Sequence, residues 1–245
     1  MTGHKIRIAK LLANYNQGSR REIEQLIKDK KIFLNKKLIT TPITFASTND
    51  EIYVNKKKIT FIKKNEVLKF FKPKDIICSK KKQDERKIIY EILKPKYKNY
   101  IFAGRLDFKS EGLIILSNSS LITRNLELPT NKFIRKYEVR AYGSFDLNRF
   151  EKVSKGIKVN KIFYKPFKYK IKSKIKKNTN IEISLIEGKK NEIRNIFKFL
   201  DLKVNKLKRI SYGPFVLDNM LPGELKKAKK SELEKYENYF RYQKR

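Results

Sequence analysis

The apolar residues of this chain change their spacing near residue 63, and that change calls for two different kinds of fold in one polypeptide. Before it, Ile8, Leu11, Leu12 and Tyr15 recur at i, i+3, i+4 and i+7, the period of an amphipathic helix. Ser19 and Glu22 form a Ser-x-x-Glu capping box that opens a second helix burying Ile23, Leu26 and Ile27. Short β segments follow: Ile32–Leu34, a turn at Asn35-Lys36, Pro42, then Ile52–Val54 before Asn55-Lys56. After residue 63 strands predominate. Val67–Phe71 and Ile76–Cys78 read as two short strands flanking Pro73, Ile88, Ile89, Ile92 and Leu93 as a helix, and Leu113–Leu116 as a buried strand. Ser231 with Glu234 opens a terminal helix through about Tyr242, followed by a basic tail ending at Arg245. The expected class is α+β, with a small domain over 1–62 and a larger one over 63–245.

Lys and Arg number 61 against 25 Asp and Glu, a net charge of +36. Abundant Lys, Asn and Ile can reflect genome composition, but the acidic residues are not raised in step. The surplus therefore points to a polyanion, nucleic acid first. Cys78 and His4 are the only residues of their kinds, which leaves no disulfide within the chain and no ligand set for zinc or iron–sulfur. His4 sits in an N-terminus expected to fray, so a histidine general base is set aside as well. No signal-peptide core or membrane-length apolar stretch is present, and the expected location is the cytoplasm. Chemistry must come from carboxylates, Lys, Arg, Tyr or hydroxyls, without metal or cofactor.

Arg20 and Arg21 fall in the first turn of the second helix, where the helix dipole disfavours cations and an approaching phosphate would relieve the conflict. The stretches RIAKLLANYNQGSRREIEQLI, IFLNKK and TND-E-I-YVNKKKI resemble an S4 domain, a small αL-type RNA-binding module. Asp29-Lys30 and Asn35-Lys36 stand where that family usually has Gly, and Asp and Asn tolerate the left-handed conformation. The resemblance implies RNA contact through Arg7, Lys10, Arg20, Arg21 and Lys28, and no chemistry.

In the larger part, Gly104 and Gly112 bracket Asp107, which places a carboxylate on a tight loop between buried segments. A charge so placed needs a partner or a task, and a structural pairing with Arg105 is one reading. Tyr137 shares a strand face with Val139 and Ala141, as a core tyrosine or as a site residue. Ile181, Ile183 and Leu185 alternate as a strand. Asn191 can cap a helix carrying Ile193, Ile196, Phe197 and Leu200, with Arg194 in its first turn, free for phosphate or paired with a carboxylate. Ser119 can likewise cap a helix holding Leu121, Ile122 and Leu126.

The stretch GRLDFKSEGLIILSN resembles the signature of the RsuA-type pseudouridine synthases. Further matches lie at Lys136–Arg140, Glu187–Arg194 and Leu207–Pro214, in the family's order. The resemblance implies a mixed, mainly antiparallel central sheet flanked by helices. It implies Asp107 as nucleophile toward sugar or base, Tyr137 stacking on the target base and assisting proton movement, and Arg194 ion-paired to Asp107. Arg105 would flip or replace the target nucleotide or steady the loop, and Lys189 and Arg209 are further candidates for RNA contact. Ser110 replaces the more usual Thr, and Asn195 a commonly basic residue.

Asn191–Arg194 and Tyr212–Pro214 are more similar to the ribosomal large subunit pseudouridine synthase B branch, which implies a uridine of 23S rRNA, near the peptidyl-transferase region and possibly in a precursor particle; a monomer is expected, although the sequence itself is silent on oligomeric state. A 16S rRNA enzyme of the same family is one alternative, and a non-catalytic S4-containing assembly factor another. A translation factor with an S4 domain accounts for the first sixty residues alone.

Overall fold

The computed structural model describes residues 5–15, 17–61 and 65–242; His4, the junction at 62–63 and the tail through Arg245 lie outside them. In the N-terminal module, helices Ile8–Asn14 and Arg20–Lys28 pack on a four-stranded sheet ordered Lys37–Leu38, Ile32–Leu34, Ile52–Val54, Lys57–Lys58. Ser19 caps the second helix as expected: its Oγ accepts from Glu22 N–H at 3.2 Å, and Glu22 accepts from Ser19 N–H at 2.8 Å. Asn35-Lys36 and Asn55-Lys56 make left-handed turns, with φ of +48° and +68°, and of +49° and +63°. This is the hairpin geometry whose twist matches paired strands. Ile8, Leu12, Ile23, Ile27, Ile32 and Ile52 form the core of the module.

The larger part is built on one mixed sheet, ordered Lys168–Ile175, Asn178–Leu185, Arg135–Tyr142, Lys203–Tyr212, Glu111–Ser117, Val67–Lys72, Leu225–Lys227, with Ile101–Ala103 also on Glu111–Ser117 and Phe215–Val216 on Lys203–Tyr212. Its pairings are antiparallel except where Lys208 and Arg209 meet Glu111 and Gly112. Toward the Val67–Lys72 side both faces are covered. Leu68, Phe70, Ile114 and Leu116 enter one core, and Val67, Phe71, Leu113 and Ile115 enter the other, beneath the terminal helix Lys230–Tyr242. A strand buried on both faces reads as an unbroken apolar run, which is how Leu113–Leu116 appears in the sequence.

Four expectations need correction. Ile76–Cys78 is not a strand and makes only the bridge Ile77–Ile88, because Asp75 turns left-handed (φ +60°) and its N–H donates to Phe108 O, folding the segment under the Asp107 loop. The helix around Ile88–Leu93 shrinks to one turn, Ile89–Ile92, ending just ahead of Lys94-Pro95, where a proline disfavours helical backbone in the residue before it. Ser119 precedes helix Ser120–Glu127 without capping it; its N–H instead donates to Ser117 Oγ at 3.0 Å. The terminal helix begins a residue early and is closed by Glu232, which accepts from Lys229 N–H at 2.8 Å, rather than by Ser231 with Glu234. Among the described residues no helix is long and apolar enough to cross a membrane.

Candidate active site

Asp107 lies on the loop between strands Ile101–Ala103 and Glu111–Ser117. Both bracketing glycines have positive φ, +66° at Gly104 and +109° at Gly112. Gly112 cannot be replaced without movement, since a Cβ there would lie 2.4 Å from Arg209 O and 2.6 Å from Arg209 N. Within the loop, Asp107 O accepts from Ser110 N–H at 3.0 Å. Beneath it Lys72, fully buried at the end of its strand, donates to Ser110 O at 2.7 Å, Pro73 O at 2.9 Å and Asp107 O at 3.3 Å. Burial pushes the Lys72 ammonium down to about 8, against the pull of Cys78, Asp75, Asp107 and Glu111. Nothing in the sequence marked Lys72 beyond its place before Pro73.

The Asp107 side chain faces a cavity of about 940 Å³, also lined by Tyr137, Arg105, Asn191, Lys189 and Arg209. That size suits a site for a small molecule or an extruded nucleotide, about 300–1,000 Å³. Tyr137 is buried on the inward face of Arg135–Tyr142, a strand whose burial alternates residue by residue. A bulge pairs Lys136 with Ser211 but Tyr137 with Arg209, skipping Ile210; such an irregularity re-aims side chains beside functional sites. Arg209 thus borders Tyr137 on one side and Gly112 on the other.

Arg194 is where the geometry departs from expectation. Its guanidinium donates to Lys109 O at 3.1 Å, Val204 O at 3.3 Å and Ser110 Oγ at 3.4 Å, and among the described residues it makes no ion pair with Asp107. The loop backbone has taken its donors. Burial lowers its pKa, while the Asp107 charge raises it, so the two groups still interact electrostatically. The direct partner of the carboxylate is Asn191: with its carboxamide nitrogen turned to the site, it donates at 2.9 Å to Oδ2 and 3.2 Å to Oδ1. Asn191 therefore leads helix Glu192–Phe199 with left-handed backbone (φ +54°) and no capping bond. Glu192 takes up that end instead, accepting from Lys189 N–H at 2.8 Å; burial raises its pKa and this bond opposes the shift.

Arg209 is not a surface RNA contact. It is 2% exposed, donates from Nε to Leu113 O at 2.7 Å, and lies over the Tyr212 ring at 4.9 Å; its Nη2 has no hydrogen-bond partner among the described residues. Arg135 flanks the same ring at 4.5 Å and donates to Tyr212 OH at 2.8 Å. Both guanidiniums line the cavity without a carboxylate partner among the described residues, giving it a positive floor suited to an anionic ligand. Arg105 is exposed and lines the cavity. Lys189 is exposed but held by Glu187 at 3.1 Å and by Phe163 O. Arg7, Lys10, Arg20, Arg21 and Lys28 all lie exposed on the N-terminal module. No cluster of three or more His, Cys, Asp or Glu that could hold a metal occurs among the described residues.

Residues 66–199 match the RNA pseudouridylate synthase family, and residues 6–52 match the S4 domain. A Rickettsia felis protein described as an uncharacterized RNA pseudouridine synthase is 38% identical over 229 residues, 94% of this chain and 99% of that one. The ribosomal large subunit pseudouridine synthase B of Buchnera aphidicola subsp. Schizaphis graminum is 31% identical over 223 residues, 88% of this chain and 86% of its own. A solved pseudouridylate synthase superposes with a TM-score of 0.68 at 25% identity, over 94% of this chain and 99% of that one. The chain belongs to the RNA pseudouridylate synthase family, as an RsuA-type isomerase that carries an S4 domain ahead of its synthase domain.

Proposed function

We propose that this enzyme converts one uridine of 23S ribosomal RNA to pseudouridine in the cytoplasm, with Asp107 as nucleophile and no cofactor. The observation that carries the reading is the convergence of Asp107 and Tyr137 on one cavity with a buried cationic floor. The isomerisation breaks the bond from ribose C1′ to uracil N1 and makes one to C5. The proton leaves C5 and N1 gains one, so atoms balance without water or an oxidant. A single carboxylate can carry this through a covalent intermediate, at the sugar or at the base. Asn191 orients the Asp107 oxygens and Lys72 fixes the loop backbone. Tyr137 supplies a ring for the extruded base and a phenol for proton movement. Arg194 acts by holding the loop at Lys109 and Ser110, with its charge felt by Asp107 at longer range. Arg105 stands at the exposed edge, placed to replace or grip the flipped nucleotide.

Residues 1–62 serve as the RNA-gripping domain and 63–245 as the catalytic domain of a monomer. The preference for 23S rRNA rests on likeness to the Buchnera large-subunit enzyme. Mapping pseudouridine in rRNA from cells with wild type, Asp107→Asn or no enzyme tests the proposal. One site in 23S rRNA should require an intact Asp107, with RNA binding retained by the variant. Turnover near wild type in Asp107→Asn would remove the nucleophile, and a dependent site in 16S rRNA would reassign the substrate.

A further inference from the structure

A two-stranded hairpin, Ile157–Val159 paired with Ile162–Tyr164, stands apart from the main sheet and turns at Asn160-Lys161 with φ of +47° and +67°. Its inner side is fixed to the site. Tyr164 is buried and its hydroxyl accepts from Asn195 Nδ2 at 2.9 Å, on the helix that carries Arg194. At the cavity rim Glu187 pairs with Lys165 at 2.6 Å and with Lys189 at 3.1 Å, and Lys189 Nζ also donates to Phe163 O. Because Lys189 lines the cavity, the second strand of the hairpin is latched to its mouth.

The outer side has no such use. Phe163 sits directly across from Lys158, and its side chain is 53% exposed although its backbone is tied down. Lys158, Lys161 and Lys165 are exposed close to Phe163 in the chain, and Lys189, whose Nζ donates to Phe163 O, is exposed with its neighbour Lys190; Glu187 pairs with Lys165 and Lys189. A rigid aromatic face interleaved with cations is the arrangement that binds single-stranded nucleic acid, with bases on the ring and phosphates on the ammonium groups. A duplex keeps its bases stacked on one another and offers phosphates alone, and an acidic peptide brings no base.

We propose that this hairpin is a stacking platform for an unpaired nucleotide of the RNA strand flanking the modified uridine, with Phe163 as the ring. The platform requires that the enzyme bind RNA, and it stands whether or not Asp107 is the nucleophile.

The test uses the full chain and two probes: a single-stranded 12-nucleotide RNA of uridines with one central 2-aminopurine, and a 12-base-pair RNA duplex. Wild type should quench the 2-aminopurine on binding. Phe163→Ala should lose the quench and bind the single strand about tenfold more weakly, with duplex affinity unchanged. Phe163→Tyr should restore both, which excludes a folding defect. Asp107→Asn should keep the quench, so failure of the nucleophile assignment is separable from failure of the platform. Equal weakening for both probes, unaltered single-strand affinity in Phe163→Ala, or no quench in wild type would each overturn the proposal.

Discussion

Replacing Lys72 by Met tests whether the Asp107 loop is positioned from beneath. The ammonium is fully buried and donates to the backbone oxygens of Ser110, Pro73 and Asp107 at 2.7, 2.9 and 3.3 Å, with Phe108 O at 3.5 Å. Bonds from a charged donor contribute about 1.5–3 kcal/mol each. Against them stands the cost of burying the charge: displacement from 10.5 to about 8 corresponds to about 3.4 kcal/mol. Met removes both terms and leaves the carbonyls unpaired, so a net loss on the order of 3 kcal/mol is expected, roughly 6–12 °C in Tm for a chain of this size. The larger effect should fall on turnover. If Asp107 is the nucleophile, as proposed, a shift of its carboxylate by about 1 Å can cost roughly 100-fold in rate, so kcat should drop by that order with KM little changed.

The pH dependence gives an independent sign. Between pH about 8 and 10.5 the unfolded chain holds a proton on Lys72 that the folded chain has released. In that window stability contributed by this group rises with pH, and it is lost as pH falls toward 8. Activity should run the other way, declining above about pH 8 as the neutral amine weakens its hold on the loop. Single-turnover pseudouridine formation and thermal unfolding across pH 7–10.5, wild type against Lys72→Met, measure both. A variant that loses Tm but keeps kcat, or keeps the alkaline decline in activity, would refute the positioning argument.

Gly112→Ala should destabilise by more than about 3 kcal/mol and abolish turnover, because its Cβ would meet the Arg209 backbone at a positive φ; denaturant titration checks this. Lys69→Met should cost about 3–5 kcal/mol, since it strands Glu232, which is 6% exposed and lies 2.9 Å from Lys69 Nζ. Adding Glu232→Gln should recover part of that loss in the same melt. RNA affinity should fall steeply between 50 and 200 mM salt, and Arg20→Ala with Arg21→Ala should flatten the slope. A flat wild-type titration would remove the phosphate-contact reading of the S4 module.

What the sequence disclosed was local. The alternation through Tyr137, Val139 and Ala141 appears in the strand, and the Ser19–Glu22 box caps its helix, because each is decided by neighbours a few residues away. The loop bearing Asp107 was legible because two glycines and an apolar run define it within the short stretch from Gly104 to Leu116. What stayed hidden depends on distant segments. Arg209 reads as one more solvated cation in a chain of +36, yet it is enclosed because strand Glu111–Ser117 runs parallel against it. Asn191 reads as a cap, but the carboxylate of a loop over eighty residues earlier competes for its amide and wins. Ile76–Cys78 has strand composition, but Asp75 turns it away from the sheet.

The parallel pairing of the main sheet, Lys208 and Arg209 against Glu111 and Gly112, joins segments far apart in the chain. Such long-range closure is late in folding. A nascent chain that has emerged only as far as Lys203 already contains its S4 module and Asp107, but lacks the strand against which the loop is shut. The loop that carries Asp107 can therefore close only after Lys208 and Arg209 have been made, so its shape is settled later in synthesis than its own residues are.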